Sequence, residues 1–114
     1  MLVGITADSN GKDIANTLAS TDDCWFSTGQ PIVTLTLKFS CSQPMHVPFR
    51  KIELEFQTGF HPRNIEIGGA VIPMSPTQKS LILQSDSISS ECSIRLLNSY
   101  DPYGRFCIYA IREV

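Results

Sequence analysis

Few of the residues that mark reactive sites occur in this sequence. Among its 114 residues there are two histidines, one tryptophan and four cysteines. The cysteines, Cys24, Cys41, Cys92 and Cys107, form no C-x-x-C pair, which removes the usual zinc and dithiol motifs. Four cysteines allow two disulfides in principle, but each of Cys24 and Cys107 has an apolar neighbour, Trp25 and Ile108, so reduced thiols packed as small hydrophobes are the expected reading. Charged residues make up only 18% of the chain, and its nine Lys and Arg residues are scattered. With a net charge of −2 and a pI near 5.5, no basic stripe is offered to phosphates, and nucleic acid is not an expected partner.

Long apolar runs are missing as well. Ile32-Val33 and Leu81-Ile82-Leu83 fall far short of the roughly 20 residues that a membrane helix needs, so no membrane span is expected. The opening Met1-Leu2-Val3-Gly4-Ile5-Thr6 carries no positive flank and turns polar at Asp8, unlike a secretory signal. A cytoplasmic or nuclear location is the expectation, unless a signal has been removed. The G-x-S-x-G elbow, the phosphate-cradling G-x-x-x-x-G-K and the dinucleotide fingerprint are all absent, and neither His46 nor His61 has a recognisable nucleophile beside it. No enzyme and no catalytic residue is expected. No cofactor is expected either; the single weak metal candidate is calcium at Asp22-Asp23, where turn chemistry is the simpler reading.

What the sequence does have is alternation. In Ile32 to Phe39, Val33, Leu35, Leu37 and Phe39 share one face while Thr34, Thr36 and Lys38 share the other. Ile52, Leu54 and Phe56 repeat the pattern against Lys51, Glu53 and Glu55, the two glutamates falling on the wet face. Further β-rich segments follow at 64–67, 80–84, 92–97 and 105–112, the last expected to be covered on both faces. Gly, Pro, Ser and Asn separate them, and Gly68-Gly69 reads as a turn. One short helical turn is predicted at 13–18, from the i to i+4 spacing of Ile14 and Leu18. About seven or eight short antiparallel strands with no strand–helix alternation predict a single all-β domain over residues 1–114, a jelly-roll β-sandwich. Trp25 is expected in the core. Gly59-Phe60-His61-Pro62-Arg63 places an aromatic ring, an imidazole and a guanidinium in one loop, and Phe and Arg are residue types that recognition surfaces favour.

The succession Ile5-Thr6-Ala7-Asp8-Ser9-Asn10, Ala15-Asn16-x-Leu18, Asp22-Asp23-Cys24-Trp25-Phe26-Ser27 and Leu35-Thr36-Leu37-Lys38-Phe39 resembles the first half of discoidin, or coagulation-factor type C, domains of the galactose-binding-like superfamily. In the second half, residues 54–63 and Asp101-Pro102-Tyr103-Gly104-Arg105-Phe106-Cys107-Ile108-Tyr109 are similar to an intracellular branch, the small nuclear-receptor-associated repressors. Two departures stand out. Ala19-Ser20 replaces the Asp-Gly usual before the Trp motif, and cysteines do not stand at both ends.

The resemblance implies ligand-gripping loops at one end of the sandwich, here 8–11, 28–31 and 59–63. It assigns Phe60 as an apolar anchor, Arg63 as a charge-assisted donor, Asn10 and Gln30 as polar contacts, and His61 beside them. The implied function is a non-catalytic intracellular module that binds a protein partner through these loops, as a transcriptional co-regulator or accessory subunit. The alternative is a carbohydrate-binding, lectin-like module in which Phe60 and His61 face a glycan.

Overall fold

A computed structural model describes residues 2–8, 14, 24–39, 50–85 and 91–113. Among them run nine strands: β1 (Leu2–Ala7), β2 (Trp25–Phe26), β3 (Ile32–Phe39), β4 (Arg50–Phe56), β5 (Pro62–Ile67), β6 (Ala70–Pro73), β7 (Ser80–Ser85), β8 (Glu91–Ser99) and β9 (Cys107–Glu113). They form a five-stranded sheet in the order β1-β3-β8-β5-β6 and a four-stranded sheet in the order β2-β9-β4-β7. Every pairing is antiparallel. The expected all-β sandwich is thus present. The strand count exceeds the expected seven or eight because the two-residue β2 and the four-residue β6 are too short to show a period. The predicted helical turn at 13–18 lies outside the described residues, apart from Ile14, which packs into the core. No described helix is long and apolar enough to cross a membrane.

The alternation seen in the sequence is the alternation of burial. Val33, Leu35, Leu37 and Phe39 of β3 meet Ile52, Leu54 and Phe56 of β4 in one core, together with Ile94, Leu96, Ile108, Ile111 and Trp25. Apolar faces on both sheets leave the solvent only one way to be excluded, which is face-to-face closure. The outer faces carry cross-strand ion pairs. Arg112 on β9 bonds both Glu53 and Glu55 of β4, and Arg95 on β8 bonds Glu66 of β5 at 3.2 Å. Each such half-exposed pair contributes a few tenths to about 1 kcal/mol. Gly68 and Gly69, with φ of 56° and 83°, close the β5–β6 hairpin as the sequence indicated; two consecutive positive φ angles suit the right-handed strand twist.

Cys24, Cys92 and Cys107 are free thiols; Cys41 lies outside the described residues. Burial, reinforced by contact with the Cys24 thiol, pushes the Cys107 thiol up to about 12. Since the thiolate is the nucleophile, iodoacetamide at about pH 8 should label Cys107 only after denaturation. Native labelling at the denatured rate, read by peptide mass spectrometry, would show that this strand opens readily. The same shift makes the fold lose stability as pH rises from 9.0 toward about 12, because the unfolded chain ionises first.

Candidate functional site

The antiparallel register decides which loops can meet. Ile32 opposes Leu97, Pro62 opposes Ser99, and Phe56 opposes Ile108. The starts of β3, β5 and β9 therefore lie at the same end as the finishes of β4 and β8. Loops 27–31, 57–61 and 100–106 converge there, joined by 74–79.

Backbone bonds tie these loops together. Ser27 N donates to Phe106 O at 3.0 Å, and Phe106 N donates in return to Ser27 Oγ at 2.8 Å. Cys107 N donates to Phe60 O at 3.1 Å, Tyr100 N to His61 O at 3.0 Å, and Asn98 N to Pro31 O at 2.9 Å. Loops 27–31 and 100–106 approach so closely that a Cβ on Gly104 would sit 3.1 Å from Gly29 O, and one on Gly29 would sit 3.2 Å from Tyr103 O. Both glycines have positive φ, of 94° and 77° for Gly29 and Gly104. Glycine satisfies the contact and the conformation at once.

Inside this frame the aromatic and basic side chains are interleaved. Phe26 and Phe60 make an edge-to-face pair with ring centroids 5.9 Å apart. The Arg105 guanidinium carbon lies 5.5 Å from the centroid of Phe60 and 5.5 Å from that of Tyr103. Tyr103 is 79% exposed and Phe26 38%. Arg63, at the start of β5, stacks over Tyr100 at 4.4 Å, and the Tyr100 hydroxyl donates to Met74 O at 2.6 Å. Attraction between guanidinium and ring quadrupole, together with the ring–ring contact, holds these side chains in place.

Asp101 anchors the last loop. Its Oδ2 accepts from both the backbone N and Nε of Arg105 at 3.1 Å, and its own N donates to Ser99 Oγ at 3.0 Å. Burial works to raise its carboxyl, but the hydrogen bonds from Arg105 and the Tyr103 backbone, with the Arg105 charge, outweigh it and hold the group below the usual aspartate range. Arg105 thereby projects between the two rings instead of swinging free.

Of the residues selected from sequence, Phe60, Arg63 and Gln30 lie in this loop cluster, Gln30 and Arg63 being exposed. His61 is placed differently. Its ring is fully buried; Nδ1 accepts from Gly59 N at 3.1 Å, and Nε2 contacts Ser75 O at 2.7 Å. That arrangement puts the proton on Nε2 and makes His61 a brace between loops 57–61 and 74–79, with its ring inside the fold and not at the surface. Asn10, Asp22 and Asp23 lie outside the described residues, and among those described no group of three metal-ligating side chains gathers. Phe26, Tyr103 and Arg105 were not selected from sequence. The available signal was Asp101-Pro102-Tyr103-Gly104, a turn that carries a large aromatic at its tip.

No known family and no curated protein matches the chain. Among solved structures it is similar to chitosan-binding module 1 of a chitosanase/glucanase from Paenibacillus sp. IK-5, with a TM-score of 0.63 and 14% identity over 97% of this chain and 93% of that one. The likeness shows the fold, the two-sheet antiparallel β-sandwich expected from the sequence.

Proposed function

We propose that the chain is a non-catalytic carbohydrate-binding module whose sugar site is the aromatic end formed by Phe26, Phe60 and Tyr103. The observation that carries this reading is Tyr103: its ring is 79% exposed, yet it is held beside Arg105 and next to a second aromatic ring on the same guanidinium. Such a ring buries little within its own chain. It offers a negatively polarised face to the C–H face of a pyranose, while Gln30 and Arg105 supply hydrogen-bonding groups for hydroxyls around it. The structural neighbour, itself named for binding chitosan, supports a glycan reading over a protein partner. The finer assignment to the discoidin family, and with it a cytoplasmic or nuclear protein-interaction role, rests on the sequence resemblance alone.

Titration calorimetry against neutral and acidic oligosaccharides tests the proposal. Tyr103→Ala and Phe60→Ala should each weaken binding about tenfold, which is about 1.4 kcal/mol, with the far-ultraviolet dichroism unchanged. Undiminished affinity in both variants, or no glycan bound by the intact chain, would refute it.

A further inference from the structure

The charge at the aromatic end is opposite in sign to that of the molecule. Although the chain carries a net charge of −2, the described residues of loops 27–31, 57–61, 74–79 and 100–106, with Arg63 at the start of β5 and Asp8 just past β1, contribute Arg63, Lys79 and Arg105 against Asp8 and Asp101, and Asp8 Oδ1 is turned onto Thr34 N at 2.9 Å. Asp101 does not cancel the field where a ligand would sit. Its side chain is only 5% exposed, and its Oδ2 is turned onto Arg105 N and Nε. The Arg105 guanidinium is 44% exposed and engages that carboxylate through Nε, so no bond among the described residues occupies its two Nη atoms. Arg63 lies exposed on the Tyr100 ring and has no carboxylate partner among the described residues.

Two guanidiniums fixed against aromatic rings form a particular kind of receptor. A stacked arginine is oriented in advance, and its free edge presents paired N–H donors in the fork that matches a carboxylate or a sulfate ester. The rings take the apolar face of a sugar, and the guanidinium edge takes an anionic substituent on its rim. A neutral sugar would use only the first of these, and an amino sugar carrying ammonium groups would be repelled.

We infer that the aromatic end of this sandwich selects acidic glycans, whose rings carry carboxylate or sulfate groups, with Arg105 and Arg63 as the residues that set the preference. The inference rests on the carbohydrate reading of the same site. It extends that reading from sugar rings in general to anionic ones.

The test compares four probes on the intact chain by titration calorimetry: short oligogalacturonates, sulfated galactan oligosaccharides, neutral galactan oligosaccharides and glucosamine oligomers. An acidic probe should bind at least about tenfold more tightly than the neutral one, glucosamine oligomers should bind least, and raising NaCl from about 0.05 to about 0.5 M should erase most of the preference. Whichever acidic probe binds better identifies the group the arginines hold. Arg63→Gln should reduce the acidic preference at least threefold while leaving affinity for the neutral probe within about twofold, and Arg105→Lys should weaken the acidic probe at least threefold more than it weakens the neutral one. Arg105→Lys retains a cation for Asp101, and Arg63 lies outside the Asp101 network, so the two variants separate ligand selection from loop stability.

Equal binding of neutral and acidic probes, or an acidic preference that survives both substitutions, overturns this inference while the sugar site stands. Acidic binding that depends on the arginines but is indifferent to Tyr103→Ala and Phe60→Ala overturns the sugar reading as well, since the end would then hold anions without stacking a ring. Failure of every probe to bind overturns both.

Discussion

Phe106→Ala should cost about 3–5 kcal/mol of unfolding free energy, a large share of what a domain of this size possesses. Phe106 is fully buried and belongs to the central hydrophobic cluster. Removing its ring leaves a cavity lined by the other side chains of that cluster, which are carried on paired strands and close-packed, so they collapse into it only in part. Its backbone also joins the two loops of the site through Ser27, so the cavity opens directly beneath the aromatic end. Urea unfolding followed by the fluorescence of Trp25, the one tryptophan, should show a lower midpoint at unchanged slope. In the same assay Tyr103→Ala should stay within about 0.5 kcal/mol of the parent, because its exposed ring supports little of the core. A loss of less than about 1 kcal/mol for Phe106→Ala would mean that the ring does not fill the interior between the sheets.

Asp101→Ala should destabilise the chain by about 1.5–3 kcal/mol, the range for hydrogen bonds to a charged acceptor. Most of this comes from the backbone N–H groups of Arg105 and Tyr103, which lose their acceptor. The guanidinium contributes less, because it is partly in water. Acid should imitate the substitution. The folded-state carboxyl titrates below the ordinary aspartate value of 3.8, so its contribution is complete above that value and disappears as pH falls below it, through the lowered folded value. The parent and Asp101→Ala should therefore differ at neutral pH and converge in acid. A constant difference down to about pH 2 would assign the effect to the shape of the side chain instead of its charge. Glycan affinity should fall with the substitution at neutral pH, since Asp101 is what aims Arg105 between Phe60 and Tyr103.

Much of the sandwich is legible from local pattern. Val33, Leu35, Leu37 and Phe39, or Ile52, Leu54 and Phe56, point the same way because successive side chains on an extended backbone alternate whatever the strand pairs with. Gly68-Gly69 is similarly local, since a two-residue hairpin needs positive φ at the positions where only glycine adopts it freely. Phe60 and Arg63 stand out in loop 59–63 because an aromatic and a guanidinium between strands are conspicuous in any sequence, and the structure places both at the end of the sandwich where loops 27–31, 57–61 and 100–106 converge. Short elements escaped for the converse reason. Two residues of β2 cannot express a period, and Trp25–Phe26 becomes a strand only because β9 lies beside it.

Chain chemistry alone determined that this protein is built of two-faced strands, with a core of branched aliphatic and aromatic residues and turns at its glycines, since each of those properties depends on a residue and its immediate neighbours. The composition of the site was settled by contacts between distant parts of the chain. Ser27 bonds Phe106, 79 residues away; Phe26 meets Phe60; and Arg105 joins Phe60 to Tyr103 at one end of the sandwich. The fate of His61 has the same origin. Its sequence surroundings suit an exposed loop residue, but Ser75 O, supplied by the loop beyond β6, draws the imidazole inward. Alternation is a property of one strand, whereas a buried donor must find whichever acceptor the closed fold brings to it, and that pairing exists only once the sheets have met.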